Sequence, residues 1–133
     1  MKQEKKDISK KPEPTKSELE ILQVLWKHGP STVRFVNDTL NEEKREVHYT
    51  STLKLMQIMT EKDLLSRDET NMKHVYSAAM DEQKMKGMLL DKFVDNMYNG
   101  SAGSLVLQLL GNKKASKKEL LAIKDLLNKL DKE

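Results

Sequence analysis

The sequence predicts a mostly α fold carrying one small β wing, in two parts: three short helices closed by a hairpin, then a helical C-terminal region. Three observations predict it. Thr15-Lys-Ser-Glu18 and Ser116-Lys-Lys-Glu119 both have the capping-box form, and each opens a stretch whose apolar residues recur at helical spacing. The period departs from the helical one between Leu64 and Ala78, where two short runs flank a polar turn. Glycines and prolines are few, and 34% of residues are charged against 37% hydrophobic, as in a helix-rich chain with abundant solvated faces. At 133 residues there is room for one ordinary domain, or for a small module with an oligomerisation appendage.

Residues 1–14 mix Lys, Glu and Ser and end in Pro12-Glu13-Pro14, too polar to bury the area that would offset ordering entropy. A flexible charged arm is expected there. The first helix begins after Thr15, carries Leu19, Leu22, Val24, Leu25 and Trp26, and stops at Gly29-Pro30. Ser31 or Thr32 caps a second helix, with Val33, Val36 and Leu40 facing inward and Arg34, Asn37 and Asp38 outward. Asn41 to Glu46 is read as a polar turn. The third helix starts near Tyr49 or Thr50 and ends near Glu61 or Lys62, burying Thr52, Leu55, Met56 and Met59. Leu64–Asp68 and Met72–Ala78 then form the hairpin. Three helices followed by a hairpin is the winged helix-turn-helix order, assigned here to residues 15–80.

Residues 81–133 return to the helical period. Met85, Met88, Leu89, Phe93, Met97 and Tyr98 line one side of a helix ending at Asn99-Gly100. A Gly100–Gly103 turn leads to a short apolar segment, Ser104 to Leu110. The final helix sets Leu120, Ile123, Leu127 and Leu130 at spacings of three, four and three, a seam that needs a partner helix. So small a region covers its apolar faces most economically by pairing with a second copy. It is therefore expected to be a homodimerisation domain built on Met88, Leu89, Phe93, Met97, Leu105, Leu109, Leu120, Ile123, Leu127 and Leu130.

Charge alone does not nominate a partner. The net charge of +3 is concentrated at the start, where residues 1–16 carry six lysines against Glu4, Asp7 and Glu13. Residues 17–80 hold eight basic and ten acidic groups, so nucleic-acid binding has to rest on where a few residues sit rather than on a broadly basic surface. The second helix of a helix-turn-helix pair enters the major groove, while hydroxyls and lysines fix phosphates. Thr50, Lys54, Gln57 and Glu61 fall on one exposed stripe of the third helix. Tyr49, Thr50, Ser51, Lys54 and Gln57 are therefore the candidate DNA contacts, joined by Arg67 and Lys73 from the hairpin. Glu61 points away at the far end.

The segment Thr15 to Lys27, with Glu18-Leu-Glu-Ile-Leu and Leu25-Trp26, resembles the first helix of the penicillinase-repressor family. Tyr49-Thr-Ser-Thr-Leu-Lys-Leu-Met-Gln-Ile-Met-Thr-Glu-Lys62 is similar to that family's recognition helix, and Gly100-Ser-Ala-Gly-Ser-Leu-Val-Leu107 to its C-terminal Gly/Ser-Leu-Val segment. The likeness extends from Thr15 to Lys132. It implies a winged-helix transcription repressor that binds a dyad-symmetric operator on double-stranded DNA as a homodimer, upstream of resistance or stress genes, with Thr50, Ser51 and Lys54 matching the DNA-contacting helix. Three positions depart from the family pattern: Ile58 stands where many members have Arg, Lys54 replaces a common Thr, and Asp63 replaces the usual Gly after Lys62. An altered operator sequence or phosphate contact is the expected consequence. Copper-responsive members end in a cysteine cluster, which this chain lacks. In antibiotic-responsive members a membrane metalloprotease sensor cuts near the Ser-Leu-Val segment, which maps here to Leu107, Gln108 and Leu109.

Other chemistry finds little support in the residues. No cysteine is present, which removes thiolate metal sites and cysteine nucleophiles and suits a reducing compartment. His28, His48 and His74 are far apart in sequence and lack metal-ligand spacing, so no metal or other cofactor is expected. Gly100-Ser-Ala-Gly-Ser104 is not a nucleophile elbow, and no phosphate loop or dinucleotide fingerprint occurs, so no catalytic residue and no enzyme is expected. Apolar runs are too short for membrane insertion, and Lys2, Lys5 and Lys6 have no apolar segment behind them. A cytoplasmic protein is expected. The alternative function is a winged-helix protein-interaction module without specific DNA binding, a reading that the near-neutral front half supports.

Overall fold

The computed structural model describes residues 13–70 and 72–132. The charged arm expected over residues 1–14 thus lies outside the described residues, except for Glu13 and Pro14. The described residues form α1 (Lys16–His28), α2 (Val33–Glu43), α3 (Tyr49–Glu61), β1 (Leu65–Asp68), β2 (Val75–Ala78), α4 (Glu82–Tyr98), α5 (Ala102–Gly111) and α6 (Lys117–Asp131). This is a winged helix-turn-helix followed by a helical C-terminal region. Contacts divide the chain into two compact units, one ending at Leu89 and the other beginning at Leu90, within α4.

In the first unit the capping box at Thr15 forms completely. The Thr15 hydroxyl accepts the Glu18 N–H at 3.2 Å, and the Glu18 carboxylate accepts the Thr15 N–H at 2.9 Å. Two of the donors that every helix start leaves free are thereby satisfied. The end of α1 needs a left-handed backbone, which Gly29 supplies at φ 83°, its N–H returning to the Leu25 carbonyl at 2.8 Å. The apolar stripe of α1, Ile21, Leu22, Val24 and Leu25, meets Val33, Val36 and Leu40 of α2 and Met56 and Met59 of α3. Leu65 and Tyr76 of the hairpin and Met85 of α4 close this core. Full burial of one such side chain contributes about 1.5–3 kcal/mol, so shared burial is what holds three short helices together. Trp26 is tied across the unit, its indole Nε1–H donating to the Met80 carbonyl at 3.0 Å.

Several local expectations are corrected. Asn37 was expected to face outward but is 5% exposed. Its amide donates to the Thr52 hydroxyl at 2.8 Å and to the Val47 carbonyl at 3.1 Å, so a polar side chain can sit between α2 and α3. The turn expected from Asn41 begins only after Glu43, because α2 continues for three more residues. Asn41 instead brackets Val47, donating to its carbonyl at 2.9 Å and accepting its N–H at 3.1 Å. Thr32, not Ser31, caps α2. Ser31 exchanges backbone hydrogen bonds with Tyr76 at 2.9 and 2.8 Å, which adds a third short extended segment beside β2. The hairpin pairs Leu65 with Ala78 and Asp68 with Val75, so Met72 to His74 belong to the turn rather than to a strand.

Asp63, the position where the resembling family favours glycine, follows the C-cap of α3 with φ 63°. A left-handed backbone costs a residue with a Cβ roughly 1–2 kcal/mol, somewhat less for Asp, whose short side chain tolerates this region. Asp63→Gly is expected to raise stability by about 0.5–1 kcal/mol, and Asp63→Val to lower it by at least that much. Urea melts of the two variants check this, and a Val variant as stable as the parent would remove the backbone argument.

The second unit consists of the remainder of α4 with α5 and α6. Val94 is its most buried apolar residue, and Phe93 packs on Tyr98 with ring centroids 5.9 Å apart. The Tyr98 hydroxyl donates to Gln108 Oε1 at 2.7 Å, joining α4 to α5. Ser101 caps α5 by accepting the Ser104 N–H at 3.2 Å, so Gly103 lies inside a helix and the expected turn ends earlier. Ser116 forms the second complete capping box with Glu119. No residue of α5 or α6 is buried. Among the described residues, no helix is long and apolar enough to cross a membrane.

Candidate nucleic-acid interface

One face of α3 is fixed and the other is free. Thr52, Met56 and Met59 are fully buried, with Leu53 and Leu55 packed against the same core, which sets the rotation of the helix. Thr50, Ser51, Lys54 and Gln57, together with Glu61, are consequently all exposed. The stripe expected from the sequence therefore stands in water on a helix that cannot turn it inward, because each residue is locked to its face by the 3.6-residue period.

Two anchors hold the ends of α3. At the start, the Asn37 amide reaches Thr52, while Asn37 and Asn41 together hold the Val47 carbonyl in the segment leading into the helix. At the end, the Lys62 ammonium pairs with the buried Glu18 carboxylate at 3.0 Å. Burial alone would push the Glu18 carboxyl up, but the Thr15 N–H bond, with the Lys62 hydrogen bond and charge, holds it below its ordinary value. Among the described residues, no buried side-chain nitrogen or oxygen lacks a hydrogen-bond partner.

Tyr49, the first residue of α3, is half-buried, and the Arg34 guanidinium lies over its ring with Cζ 4.3 Å from the centroid. Tyr49 and Lys73, predicted from separate parts of the sequence, line one cleft of about 430 Å³ together with Arg34, His74, Thr32 and Tyr76. Arg67, the other hairpin candidate, is differently placed. It faces Tyr76 across the hairpin, is held by the Tyr76 hydroxyl and pairs with Glu69, so a phosphate has to compete for it. Arg34 was assigned only to the outward face of α2. The contact that marks it joins positions 15 residues apart in the chain, which no local spacing reveals.

The histidines have separate surroundings. His28 stands edge-on to Phe35 with centroids 5.1 Å apart, His48 precedes α3 without a side-chain cap, and His74 borders the cleft. Among the described residues, no three His, Asp or Glu side chains cluster as metal ligands.

The apolar residues of the second unit remain in contact with water. Phe93, Met97, Leu109, Leu120, Leu127 and Leu130 are exposed, while Leu105 and Ile123 are half-buried. Met88 and Leu89 lie in the first unit, where Leu89 packs against the core. Leu107 and Gln108 are exposed on α5, with Gln108 bound to Tyr98.

The profile of the penicillinase repressor family matches residues 14–129. A penicillinase repressor of Bacillus licheniformis is 28% identical over 126 residues, covering 90% of this chain and 93% of the relative. A penicillinase repressor of Staphylococcus aureus is 24% identical over 125 residues, covering 93% of this chain and 98% of the relative.

Proposed function

This chain belongs to the penicillinase repressor family, and from that premise we propose that it is a sequence-specific, DNA-binding transcription repressor without catalytic activity. The observation that carries the reading is the exposed stripe Thr50, Ser51, Lys54 and Gln57 on a helix whose other face is locked into the core. Hydroxyl, ammonium and amide groups on the first turns of such a helix are the groups that meet base edges and phosphates in a major groove. Tyr49 and Lys73 flank that stripe, and Arg67 adds a second contact from the hairpin once it exchanges Glu69 for a phosphate.

A homodimer presents two copies of α3 to successive major grooves about 34–36 Å apart, so the operator has dyad symmetry. The exposed leucines, Phe93 and Met97 of the second unit support this, since water-facing apolar rows on three helices stabilise an assembly that covers them. Sedimentation that finds only monomer at micromolar concentration would remove the dimer. The genes repressed are of the resistance or stress class. Repression ends when a membrane metalloprotease sensor cuts near Leu107, Gln108 and Leu109. Because this segment is helical, α5 has to open locally before a protease can take it as an extended strand. Survival of an intact α5 after incubation with the cognate sensor rules cleavage out.

The test is a salt-dependent gel shift on the DNA upstream of the gene that encodes this chain, against an unrelated fragment of equal length. Specific retardation is expected, falling steeply with salt as counterions are released. Lys54→Ala is expected to weaken binding about tenfold, within the range for loss of one charged groove contact. Equal or absent binding to both fragments overturns the repressor reading.

A further inference from the structure

We propose that the cleft between the start of α2, the start of α3 and the hairpin turn is a phosphodiester-binding site for the DNA backbone, with Arg34 as its central cation. The inference rests on the DNA-binding reading and adds to it a residue and a site outside the exposed stripe of α3.

Three features of the cleft carry it. Its walls carry Arg34, Lys73 and His74 beside Thr32, Tyr49 and Tyr76, without a single carboxylate, in a unit whose residues 17–80 are net acidic. Two cations, Arg34 and Lys73, thus share a concave site with no carboxylate between them, and charge gathered in such a site focuses the field on an anion. Second, Arg34 is exposed and, among the described residues, enters no ion pair, unlike Arg45 with Glu20 or Arg67 with Glu69. It lies over the face of Tyr49, which orients the guanidinium but leaves its N–H groups to bind an acceptor. Third, the volume of about 430 Å³ is ample for a phosphate group and too open to enclose one, which suits a diester that continues as a strand on either side. Because Tyr49 begins the helix whose exposed stripe faces the groove, a phosphate here belongs to the strand that borders the same groove.

The planar guanidinium matches phosphate oxygens two at a time, so Arg34 is expected to contribute one full phosphate contact, with Tyr49 as its positioning residue. The experiment measures affinity by fluorescence anisotropy over a range of salt, on the upstream DNA and on a mixed-sequence duplex of equal length. Arg34→Ala is expected to weaken both duplexes by the same factor, about tenfold, and to lower the salt slope by about 0.9, the value for one lost phosphate contact. Tyr49→Phe keeps the stacking surface and is expected to keep the coupling to Arg34, whereas Tyr49→Leu loses affinity, and loses less once Arg34 is already alanine. Arg34 is exposed, and an unchanged thermal melt confirms that each variant is folded.

An Arg34→Ala protein with the parent's affinity and slope overturns the proposal while leaving the repressor reading intact. Loss confined to the upstream DNA makes Arg34 a base-reading residue and also overturns it. A parent protein that binds neither duplex ends both readings. A parallel calorimetric titration with inorganic phosphate separates the sources of the anion. Arg34-dependent phosphate binding combined with an unchanged DNA slope assigns the cleft to a free anion and overturns the DNA version.

Discussion

Glu18→Ala is expected to lower the free energy of unfolding by about 3 kcal/mol at neutral pH, the sum of a lost helix cap near 1 kcal/mol and a lost charge-assisted hydrogen bond of 1.5–3 kcal/mol. The carboxylate is almost fully buried and serves two partners, the Thr15 N–H at the head of α1 and the Lys62 ammonium at the tail of α3. Lys62 is 44% exposed in its side chain and returns to water without penalty, so the cost is that of the missing acceptor and the space it leaves. Glu18→Gln isolates the charge, because it keeps the shape and one acceptor oxygen. The folded carboxyl lies below its ordinary value, so the ionised form contributes stability that is fully present above about pH 4.3, the unfolded value. That contribution is lost as pH falls through the folded value. The gap between the parent and Glu18→Gln should therefore be widest at neutral pH and close in acid. Urea melts from neutral pH down to about pH 3 measure it, and a gap that does not change with pH would show that the pair carries no net charge stabilisation.

The second large effect is expected at Asn37. Asn37→Leu replaces a buried amide that bonds Thr52 and Val47 with a group that bonds neither, so it should cost about 2–3 kcal/mol. Part of the loss is recovered locally, since Asn41 still holds the Val47 carbonyl at 2.9 Å. A functional loss should accompany the loss of stability. Asn37 fixes the approach to α3 and its first turn, and a small rotation there displaces Thr50, Ser51 and Lys54 together from a groove that tolerates little misplacement. At a temperature where the variant is fully folded, DNA affinity is expected to fall at least tenfold. A variant that is destabilised but binds as tightly as the parent would confine Asn37 to a structural role. The two anchors lie at opposite ends of α3, far enough apart for their stability losses to add.

Both anchors bear on how the site could be read. The stripe on α3 was legible because its residues follow one another at helical spacing and the apolar positions opposite them are unambiguous. Lys73 and Tyr49 were legible as chemistry but not as neighbours, and Arg34 was legible only as a polar residue on an outward face. Asn37 was misplaced for the same reason: a polar residue among polar neighbours predicts exposure until a donor elsewhere in the fold provides Thr52 at hydrogen-bond distance.

Features that depend on residues within about four positions of each other can be read from the order of amino acids alone. That covers the two capping boxes, the Gly29 stop, the apolar stripes of α1, α2 and α3, the single interruption for a hairpin and the apolar rows of the C-terminal helices. The pairings that cross the chain emerge only once it is folded: Arg34 over Tyr49, Asn37 with Thr52, Glu18 with Lys62, and Ser31 with Tyr76. The reason is physical. A cap or a stripe takes its energy from contacts that helix geometry guarantees, whereas a cation over a ring or a buried amide on a hydroxyl depends on how closely two helices approach and at what angle. Those are set by the packing of the whole core, of which each stretch of sequence records only its own side.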